Sequence, residues 1–357
     1  MSDMTAIISR QLNWLLRPID HLLLDPTVTD IHINGPGPDG NTPIFVKRGA
    51  VRSIETAPFT MQDLENIGIN AAALNRQDIA EDAPFCSTKL PAGQRVQLVR
   101  SPACPPTQYA IAIRRPSAKT STPDELEQQG VFSLTKPSDI IRSTPRPIIK
   151  DMLDLKAAGR YRQMLELAIS NGMTVIWAGM VGTGKTHNLR AFINAIPLDR
   201  RIVTVEDMEE VINLAHKNVV NLLYPKGKGQ GLSKHTAEDC TEAALRLDMD
   251  VLINQELRDA AAWAFIRAII SGHPGMSSCH APSAEEAYRA IALMARQHEA
   301  ARTIPNEDLD ALLRDLIPVI AYCETIGGQR RVTQVHFDPS GRHEVTSQAA
   351  AALAGAR

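Results

Sequence analysis

The sequence predicts an α/β protein in which a small α+β domain is followed by a larger domain built on a parallel, helix-covered sheet. The chain has 357 residues, enough for two domains of ordinary size. Hydrophobic residues make up 44% and charged residues 22%, which allows buried cores and excludes global disorder. From residue 151 onward, short apolar runs alternate with helical patterns, the arrangement typical of parallel sheets.

Charge and cysteine content argue against several classes of protein. Thirty-eight Lys and Arg residues against 40 Asp and Glu residues leave a net charge of -2, which gives no support to a protein that coats nucleic acid through bulk charge. No apolar run reaches the roughly 18 residues of a membrane-spanning helix, and no secretory signal is recognisable. The five cysteines are scattered without a CxxC pair, which favours a reducing cytosol.

The N-terminal elements follow from local periodicity and turn residues. Apolar side chains recur at helical spacing over Ile7–Leu24, and Asp25 and Pro26 end this helix. The alternation of Val28–Asn34 predicts a half-buried strand, and Gly35–Pro38 supplies its turn. The same signals predict three further strands and two helices, at Pro43–Arg48, Arg95–Arg100, Tyr109–Arg114, Met61–Leu74 and near Asp124–Gln129. We therefore expect an α+β domain over residues 1–116.

A change in composition separates the two halves of the chain. Residues 117–150 carry several prolines and many serines and threonines, and are predicted to be a linker with short helical pieces. Helix–strand alternation then defines a second domain over residues 151–346. Its predicted helices and strands are Tyr161–Ser170, Lys185–Ile196, Thr174–Ala178, Arg201–Val205 and Val251–Asn254. Residues 347–357 are Ala-rich and are expected to form a flexible tail.

The stretch Gly179–Thr186 fits the pattern GxxxxGK[ST] between a predicted strand and a predicted helix. Glycines let successive backbone N–H groups turn toward phosphate oxygens, and the helix presents its positive N-terminus to the same anion. Lys185 can bridge the β- and γ-phosphates, and the Thr186 hydroxyl can hold Mg²⁺. The residues predicted to bind nucleotide here are Gly179, Val181, Gly182, Thr183, Gly184, Lys185 and Thr186. The alternative is a glycine-rich turn without a ligand, which the flanking strand and helix disfavour.

Acidic residues follow two predicted strands of the same sheet. Glu206 and Asp207 end one strand, and Glu256 follows another. Carboxylates at such ends lie near a phosphate loop, where they can hold Mg²⁺ through water or polarise an attacking water. Taken alone, acids in this position are more often solvated or cap the next helix. His280 ends a glycine-punctuated stretch and can sense a γ-phosphate there, although a lone histidine is more often structural.

These motifs, in this order and spacing, resemble the VirB11-like secretion ATPases within the larger group of type II/IV secretion ATPases. Four segments are similar to the family's Walker A loop, Asp box, Walker B region and His box, respectively Gly179–Thr186, Thr204–Glu210, Leu245–Arg258 and Gly272–Ala281. The resemblance extends to the N-terminal side, where Asp30–Gly37 and the segments around Arg95 and Arg114 are similar to family motifs.

The resemblance implies a hexameric ring of two layers, with N-terminal domains on one side and RecA-like P-loop ATPase domains on the other. ATP with Mg²⁺ would lie between the two domains of one subunit, near a neighbour. Arg95 and Arg114 would reach its phosphates, because a guanidinium stays charged and grips phosphate oxygens. Without the resemblance, these arginines are more readily interpreted as surface charges or as protectors of a strand edge.

The resemblance also implies the catalytic roles. Glu206 would act on the lytic water, Glu256 would be the Walker B carboxylate and a Mg²⁺ ligand with Thr186, and His280 would couple the γ-phosphate to domain movement. Lys185 completes the implied catalytic set.

Departures from the family pattern bear on the branch to which the chain is similar. Asp248-Met249-Asp250 stands where the family often carries Arg-Pro-Asp, which removes a positive charge and puts any role for it in doubt. Gln255 precedes Glu256 where many relatives carry Gly, and the sequence lacks the tetra-cysteine module common in type II secretion ATPases. Together these features favour the type IV branch.

The sequence thus predicts a Mg-ATP-hydrolysing traffic ATPase of a type IV secretion or conjugation system, a cytoplasmic homo-hexamer at the inner membrane whose partners are inner-membrane components. The alternatives are a type II secretion or pilus motor, and a nucleotide-dependent scaffold or switch with little turnover. A DNA-translocating ATPase is disfavoured by the neutral charge, and no strong signal indicates direct nucleic-acid binding. The basic loop 225–231 is either a flexible connection or a docking loop for DNA or a partner.

Overall fold

The computed structural model describes residues 2–37, 39–116, 122–135, 147–212, 214–225, 233–259 and 261–337. Residues 117–121 and 136–146 of the predicted linker, the loop 225–231 beyond its first residue and the predicted tail 347–357 lie outside these ranges. Within them, no helix is both long and apolar enough to cross a bilayer.

The N-terminal side forms a six-stranded antiparallel sheet in the order β3-β2-β1-β6-β5-β4. Its strands are β1 (Asp30–Gly35), β2 (Thr42–Arg48), β3 (Val51–Ala57), β4 (Phe85–Lys89), β5 (Arg95–Val99) and β6 (Tyr109–Arg114). The helices α1 (Ser2–Leu15), α2 (Asp20–Leu24) and α3 (Met61–Leu74) share one apolar core with this sheet. The α+β character predicted for this part of the chain is confirmed.

Two features of the N-terminal side differ from the sequence prediction. The single helix predicted over Ile7–Leu24 is wrong, because the helix breaks at a 3₁₀ turn, Arg17–Ile19. Its central residue is Pro18, which has no N–H for an α-helical hydrogen bond. Strands β3 and β4 are additional strands that the sequence analysis did not predict; β3 is largely exposed and carries exposed apolar side chains at Val51 and Ile54.

The C-terminal side forms a seven-stranded sheet in the order β13-β12-β7-β11-β10-β8-β9. Its strands are β7 (Val175–Gly179), β8 (Ile202–Glu206), β9 (Val219–Leu223), β10 (Val251–Asn254), β11 (Gly275–Cys279), β12 (Val319–Ile326) and β13 (Gln329–Phe337). Neighbouring strands pair in parallel except for β13, which returns antiparallel to β12. The predicted parallel sheet is confirmed, with one antiparallel strand at its edge.

The described helices that follow α3 lie before and between these strands. They are α4 (Pro123–Gln128), α5 (Pro147–Ala157), α6 (Tyr161–Ser170), α7 (Lys185–Ile193), α8 (Ala237–Arg246), α9 (Ala261–Ile270), α10 (Glu286–Ala295), α11 (Glu299–Arg302) and α12 (Asn306–Leu316). Two apolar cores, on opposite faces of the sheet, bury the alternate side chains of strands such as β7. Burial on both faces explains why these strands are nearly continuous apolar runs in the sequence.

A buried guanidinium connects the two sheets. Arg201, just before β8, has no exposed surface. Its side chain donates to the Leu247 carbonyl at 2.7 Å, to Oδ1 of Asn218 at 2.5 Å and to Oδ1 of Asn34 on β1 at 3.0 Å. The side chains of Asn34 and Asn218 are also hydrogen-bonded to each other at 2.8 Å. Burial lowers the pKa of Arg201 to about 9, and the carboxylates of Asp248 and Asp250 oppose this shift.

Two acidic residues in the segment before β10 contact basic side chains of the N-terminal sheet. Asp248 lies 3.0 Å from Nζ of Lys47 and 3.3 Å from Nε2 of His32. Asp250 accepts two hydrogen bonds from the Arg52 guanidinium, at 2.5 and 2.6 Å. These are the two acids of the segment that departs from the family's Arg-Pro-Asp pattern. In this chain they contribute to the contact between the sheets.

This contact lies far from the loop that follows β7. Arg201, Asn218 and Asp248 precede their strands and so lie at the amino ends, whereas Gly179 is at the carboxyl end of β7. A second contact runs along β9, where the Leu223 N–H donates to the Ala103 carbonyl. Strand β9 is four strands from β7, which corresponds to roughly 19 Å across the sheet.

We predict that acidification weakens the folded state through His32. Burial, together with the positive charge of Arg201, lowers the pKa of His32 from 6.5 to about 4. Below pH 6.5 the unfolded chain takes up a proton that the folded chain resists until about pH 4, so stability falls as the pH falls through this window. Urea unfolding at several pH values should show that wild type loses about 1–3 kcal/mol more than His32→Asn between pH 6.5 and 4.

The matched control is His187→Asn, because His187 is exposed on α7. This variant should keep the pH dependence of wild type. Equal slopes for wild type and His32→Asn would contradict the prediction.

Candidate nucleotide-binding site

The segment that fits the phosphate-loop pattern forms a turn between β7 and α7. Gly179, Gly182 and Gly184 have φ values of +151°, +80° and +89°, which only glycine adopts without strain. A β-carbon on Gly179 would lie 2.4 Å from the Cys323 carbonyl oxygen, so this position also excludes a side chain sterically. Lys185 is the first residue of α7, and the N–H groups of that first turn have no intrahelical partner. The turn can therefore offer backbone donors to an anion.

The remaining predicted residues of the loop occupy three different environments. Val181 is 83% exposed at the surface of the turn. The Thr183 hydroxyl donates to the Met180 carbonyl at 2.9 Å and so stabilises the turn. Thr186 is the second residue of α7 and half-buried.

Lys185, His280 and Glu256 are brought together at the carboxyl ends of neighbouring strands. Nζ of Lys185 donates to the Met180 carbonyl at 3.0 Å and lies 3.4 Å from Nδ1 of His280. The other ring nitrogen of His280 lies 2.9 Å from Oε1 of Glu256. Burial lowers the pKa of the Lys185 ammonium, although the charge of Glu256 opposes that shift. Three of the four residues with implied catalytic roles thus form one continuous polar chain.

Arg258 extends this chain to the acidic segment after β8. Its guanidinium contacts Oε2 of Glu256 at 2.5 Å and Oδ2 of Asp207 at 3.5 Å. The hydrogen bond to Glu256 raises the pKa of Arg258, so the guanidinium is fixed in its charged form. The sequence analysis placed Arg258 at the end of a family-like segment but predicted no role for it. Its proximity to Asp207 depends on the pairing of β8 with β10.

Glu206 does not belong to this chain of contacts. Its side chain is fully buried and accepts hydrogen bonds from the Thr204 hydroxyl at 2.7 Å and from the backbone N–H groups of Glu210 and Val211 at 2.8 and 2.9 Å. Burial raises the pKa of the carboxyl group, while these hydrogen bonds act in the opposite direction. In this conformation Glu206 holds the turn after β8. A role on the lytic water stays a prediction.

Arg95 and Arg114 are adjacent to each other but are not brought to the phosphate loop of their own chain. They are register partners on β5 and β6 and line a cleft of about 610 Å³ with Asp30, Arg246 and Asp248. This cleft lies where the two sheets meet, at the amino-end edge described above. A contact of these arginines with phosphate therefore stays a prediction that needs a neighbouring chain or a movement of the N-terminal sheet.

One basic residue near the loop was not indicated by the sequence. Arg330 is the second residue of β13, and the β12–β13 hairpin brings its side chain against Gly184. The Gly327-Gly328 pair is a turn signal that could have located a hairpin there. That the hairpin packs on the phosphate loop depends on the pairing of β12 with β7, which local pattern does not reveal.

We predict that Glu206→Gln destabilises the fold. In either orientation of the amide, its N–H₂ group replaces an oxygen that now accepts hydrogen bonds, either from the Thr204 hydroxyl or from two backbone N–H groups, at a cost of about 2 kcal/mol. Denaturant unfolding should show this loss, and Glu209→Gln is the control because Glu209 is exposed on the same turn. An unchanged free energy of unfolding for Glu206→Gln would show that the carboxylate does not hold this turn.

Comparison with known sequences identifies relatives of the whole chain. The model of the family described as "Type II/IV secretion system protein" matches residues 141–351. The type IV secretion system protein VirB11 of Brucella suis biovar 1 (strain 1330) is 32% identical over 342 residues, which cover 94% of this chain and 92% of that protein. VirB11 of Agrobacterium tumefaciens (strain 15955) is 32% identical over 314 residues, which cover 88% and 90% of the respective chains.

Comparison with solved structures gives the same relationship. The crystal structure of the VirB11 ATPase from the Brucella suis type IV secretion system, in complex with sulphate, matches with a TM-score of 0.87 and 30% identity. The match covers 97% of this chain and all of that chain. Since sequence and fold agree over nearly the whole length, the chain belongs to the type II/IV secretion system protein family, among the VirB11-type secretion ATPases.

Proposed function

We propose that this chain hydrolyses Mg-ATP as one subunit of a homo-hexameric ring that energises assembly or substrate transfer in a type IV secretion system. The observation that carries the proposal is the continuous contact from Lys185 at the phosphate loop through His280 to Glu256. Residues 1–116 and 151–346 would act as the two domains of each subunit. The names of the relatives at about 32% identity support the type IV system over a type II or pilus motor.

The phosphate loop supplies the donors for the triphosphate. Its backbone N–H groups and the start of α7 would bind phosphate oxygens, and Lys185 would exchange the Met180 carbonyl for them. The Thr186 hydroxyl and the Glu256 carboxylate offer the oxygen ligands that Mg²⁺ prefers, and the ion would neutralise charge on the β- and γ-phosphates.

His280 is suited to report what occupies the loop. It lies between a cation that binds phosphate and an acid that binds Arg258, so a change at Lys185 alters the charge next to Glu256. Arg258 carries this change to Asp207 at the end of β8. Nucleotide binding would thereby be coupled to a segment that leads toward the contact with the N-terminal sheet.

Arg95 and Arg114 would serve the site of a neighbouring subunit. Within one chain they lie at the edge of the seven-stranded sheet opposite to the phosphate loop, in a cleft with Arg246. A ring places a different copy beside each loop, and arginine is the residue best suited to bind phosphate across such an interface. Hydrolysis would then require assembly. The ring would work at the cytoplasmic face of the inner membrane, with membrane components of the secretion apparatus as partners.

We predict that steady-state hydrolysis of Mg-ATP per chain rises with protein concentration, because dilution separates subunits that share a site. Lys185→Ala should reduce the rate by about a hundredfold or more, since the charge facing the phosphates is lost. Phosphate release measured over a dilution series gives both results. Lys217→Ala is the control, because Lys217 is exposed before β9 and away from the loop.

Binding of ATP without hydrolysis would contradict the proposal. Suppose that wild type binds ATP but releases no phosphate at any concentration, alone or with its membrane partners. The chain would then be a nucleotide-dependent scaffold, the second function that the sequence allowed.

We also predict complementation between two inactive variants. Lys185→Ala chains and chains with both Arg95→Ala and Arg114→Ala are each expected to be inactive. If the arginines act on a neighbour, about a quarter of the sites in randomly mixed rings combine an intact Lys185 with a neighbour whose Arg95 and Arg114 are intact. Mixing equal amounts should therefore restore up to about a quarter of the wild-type rate.

The control mixes Lys185→Ala with Glu256→Gln, whose changed residues share one chain's site through His280. This pair should stay inactive. Failure of the arginine and lysine variants to complement would place all these residues in the site of a single chain.

A further inference from the structure

The β12–β13 hairpin extends past the strand that leads into the phosphate loop. Strand β12 runs parallel to β7 with Cys323 opposite Gly179, the last residue of β7. It then continues for three more residues to Ile326 before the turn. The amide of Asn188 on α7 donates to the Cys323 sulfur at 3.3 Å. The base of the hairpin is therefore fixed to both sides of the phosphate loop.

The Arg330 side chain lies directly over the loop. A β-carbon built on Gly184 would come within 2.8 Å of Cδ and 3.6 Å of Cβ and Cγ of Arg330. Gly184 also has a φ of +89°, so both the backbone and this contact require glycine. The aliphatic stem of Arg330 thus packs on the residue that precedes Lys185.

Strand alternation separates Arg330 from the arginine that follows it. Arg330 is the register partner of Thr325, two residues beyond Cys323, so both lie on the face of the hairpin that meets the loop. Arg331 is the partner of Glu324 on the opposite face, and its guanidinium donates to Oε1 of Gln329. Two adjacent arginines therefore differ in which side of the hairpin they occupy.

Arg330 differs from the other basic residues at this site in the partners of its charged group. In the ranges that the structure describes, no hydrogen bond or ion pair engages it, and the residue is exposed. By contrast, Arg258 is bound to Glu256, and Lys185 is nearly buried and donates to Met180. A guanidinium held over backbone N–H donors can bind the same anion that those donors attract.

We propose that Arg330 is a nucleotide-binding residue whose guanidinium closes over a nucleoside di- or triphosphate in the loop and donates to a phosphate oxygen. The inference rests on the proposed nucleotide binding and adds to it a residue from the C-terminal hairpin of the same chain. The ligand class follows from the loop below Arg330, which is built for phosphate. The planar fork also distinguishes arginine from lysine at this position.

The test compares Arg330→Gln with Arg331→Gln in the full-length chain. Calorimetric titration with ADP and with ATP should show about tenfold or more weaker binding for Arg330→Gln, the usual effect of losing a charge-assisted hydrogen bond. Arg331→Gln should bind within about twofold of wild type, because the charge that it removes lies on the other face. Arg330→Lys keeps the charge without the fork and should fall between wild type and Arg330→Gln.

Three results would overturn the inference. They are binding by Arg330→Gln within about twofold of wild type, equal losses in Arg330→Gln and Arg331→Gln, and a loss in Arg330→Gln accompanied by a lowered melting temperature that Arg330→Lys shares. The proposed function fails separately, since then wild type itself would bind neither ADP nor ATP.

Discussion

Parallel pairing of β7, β11, β10 and β8 is the constraint on which the site depends. Each of these strands ends at the same edge of the sheet, so residues far apart in the chain meet just beyond that edge. Lys185, His280, Glu256 and Asp207 are held by four different strand ends within one chain of polar contacts. Loops alone would not hold these four side chains in a fixed arrangement, because loops are more mobile than the strands of a sheet.

The opposite edge of the seven-stranded sheet, at the amino ends of its strands, holds a buried charge. The Arg201 guanidinium is buried and, among the residues that the structure describes, hydrogen-bonds to no carboxylate; such burial is costly for a charged group. Carbonyl and amide oxygens from both sheets satisfy part of its fork, and Asp248 and Asp250 lie near enough to favour its charge. The amino ends of β8, β9 and β10 thus contact the N-terminal sheet through Arg201, Asn218 and Asp248, while the carboxyl ends of β7, β10 and β11 meet at the candidate nucleotide-binding site.

The sequence predicted those features of the fold that depend on residues close together in the chain. The turn between β7 and α7 was predictable because its glycines and lysine recur at a fixed spacing between a strand and a helix. The parallel sheet was predictable because its strands are apolar on both faces. Glu256 and His280 needed the resemblance to a family, since a lone acid or histidine carries little information. The position of Glu206 inside the protein and the approach of Arg330 to Gly184 depend on the packing of distant segments, which periodicity does not encode.

Strand β13 is one of the two outer strands of the seven-stranded sheet in the described part of the chain, and it is nine residues long. A long open strand edge invites another copy to pair with it and to extend the sheet without limit. Adjacent positive charges at its start, Arg330 and Arg331, repel the same charges of an identical strand paired alongside it in parallel. Open-ended parallel stacking of copies through this edge is thereby disfavoured.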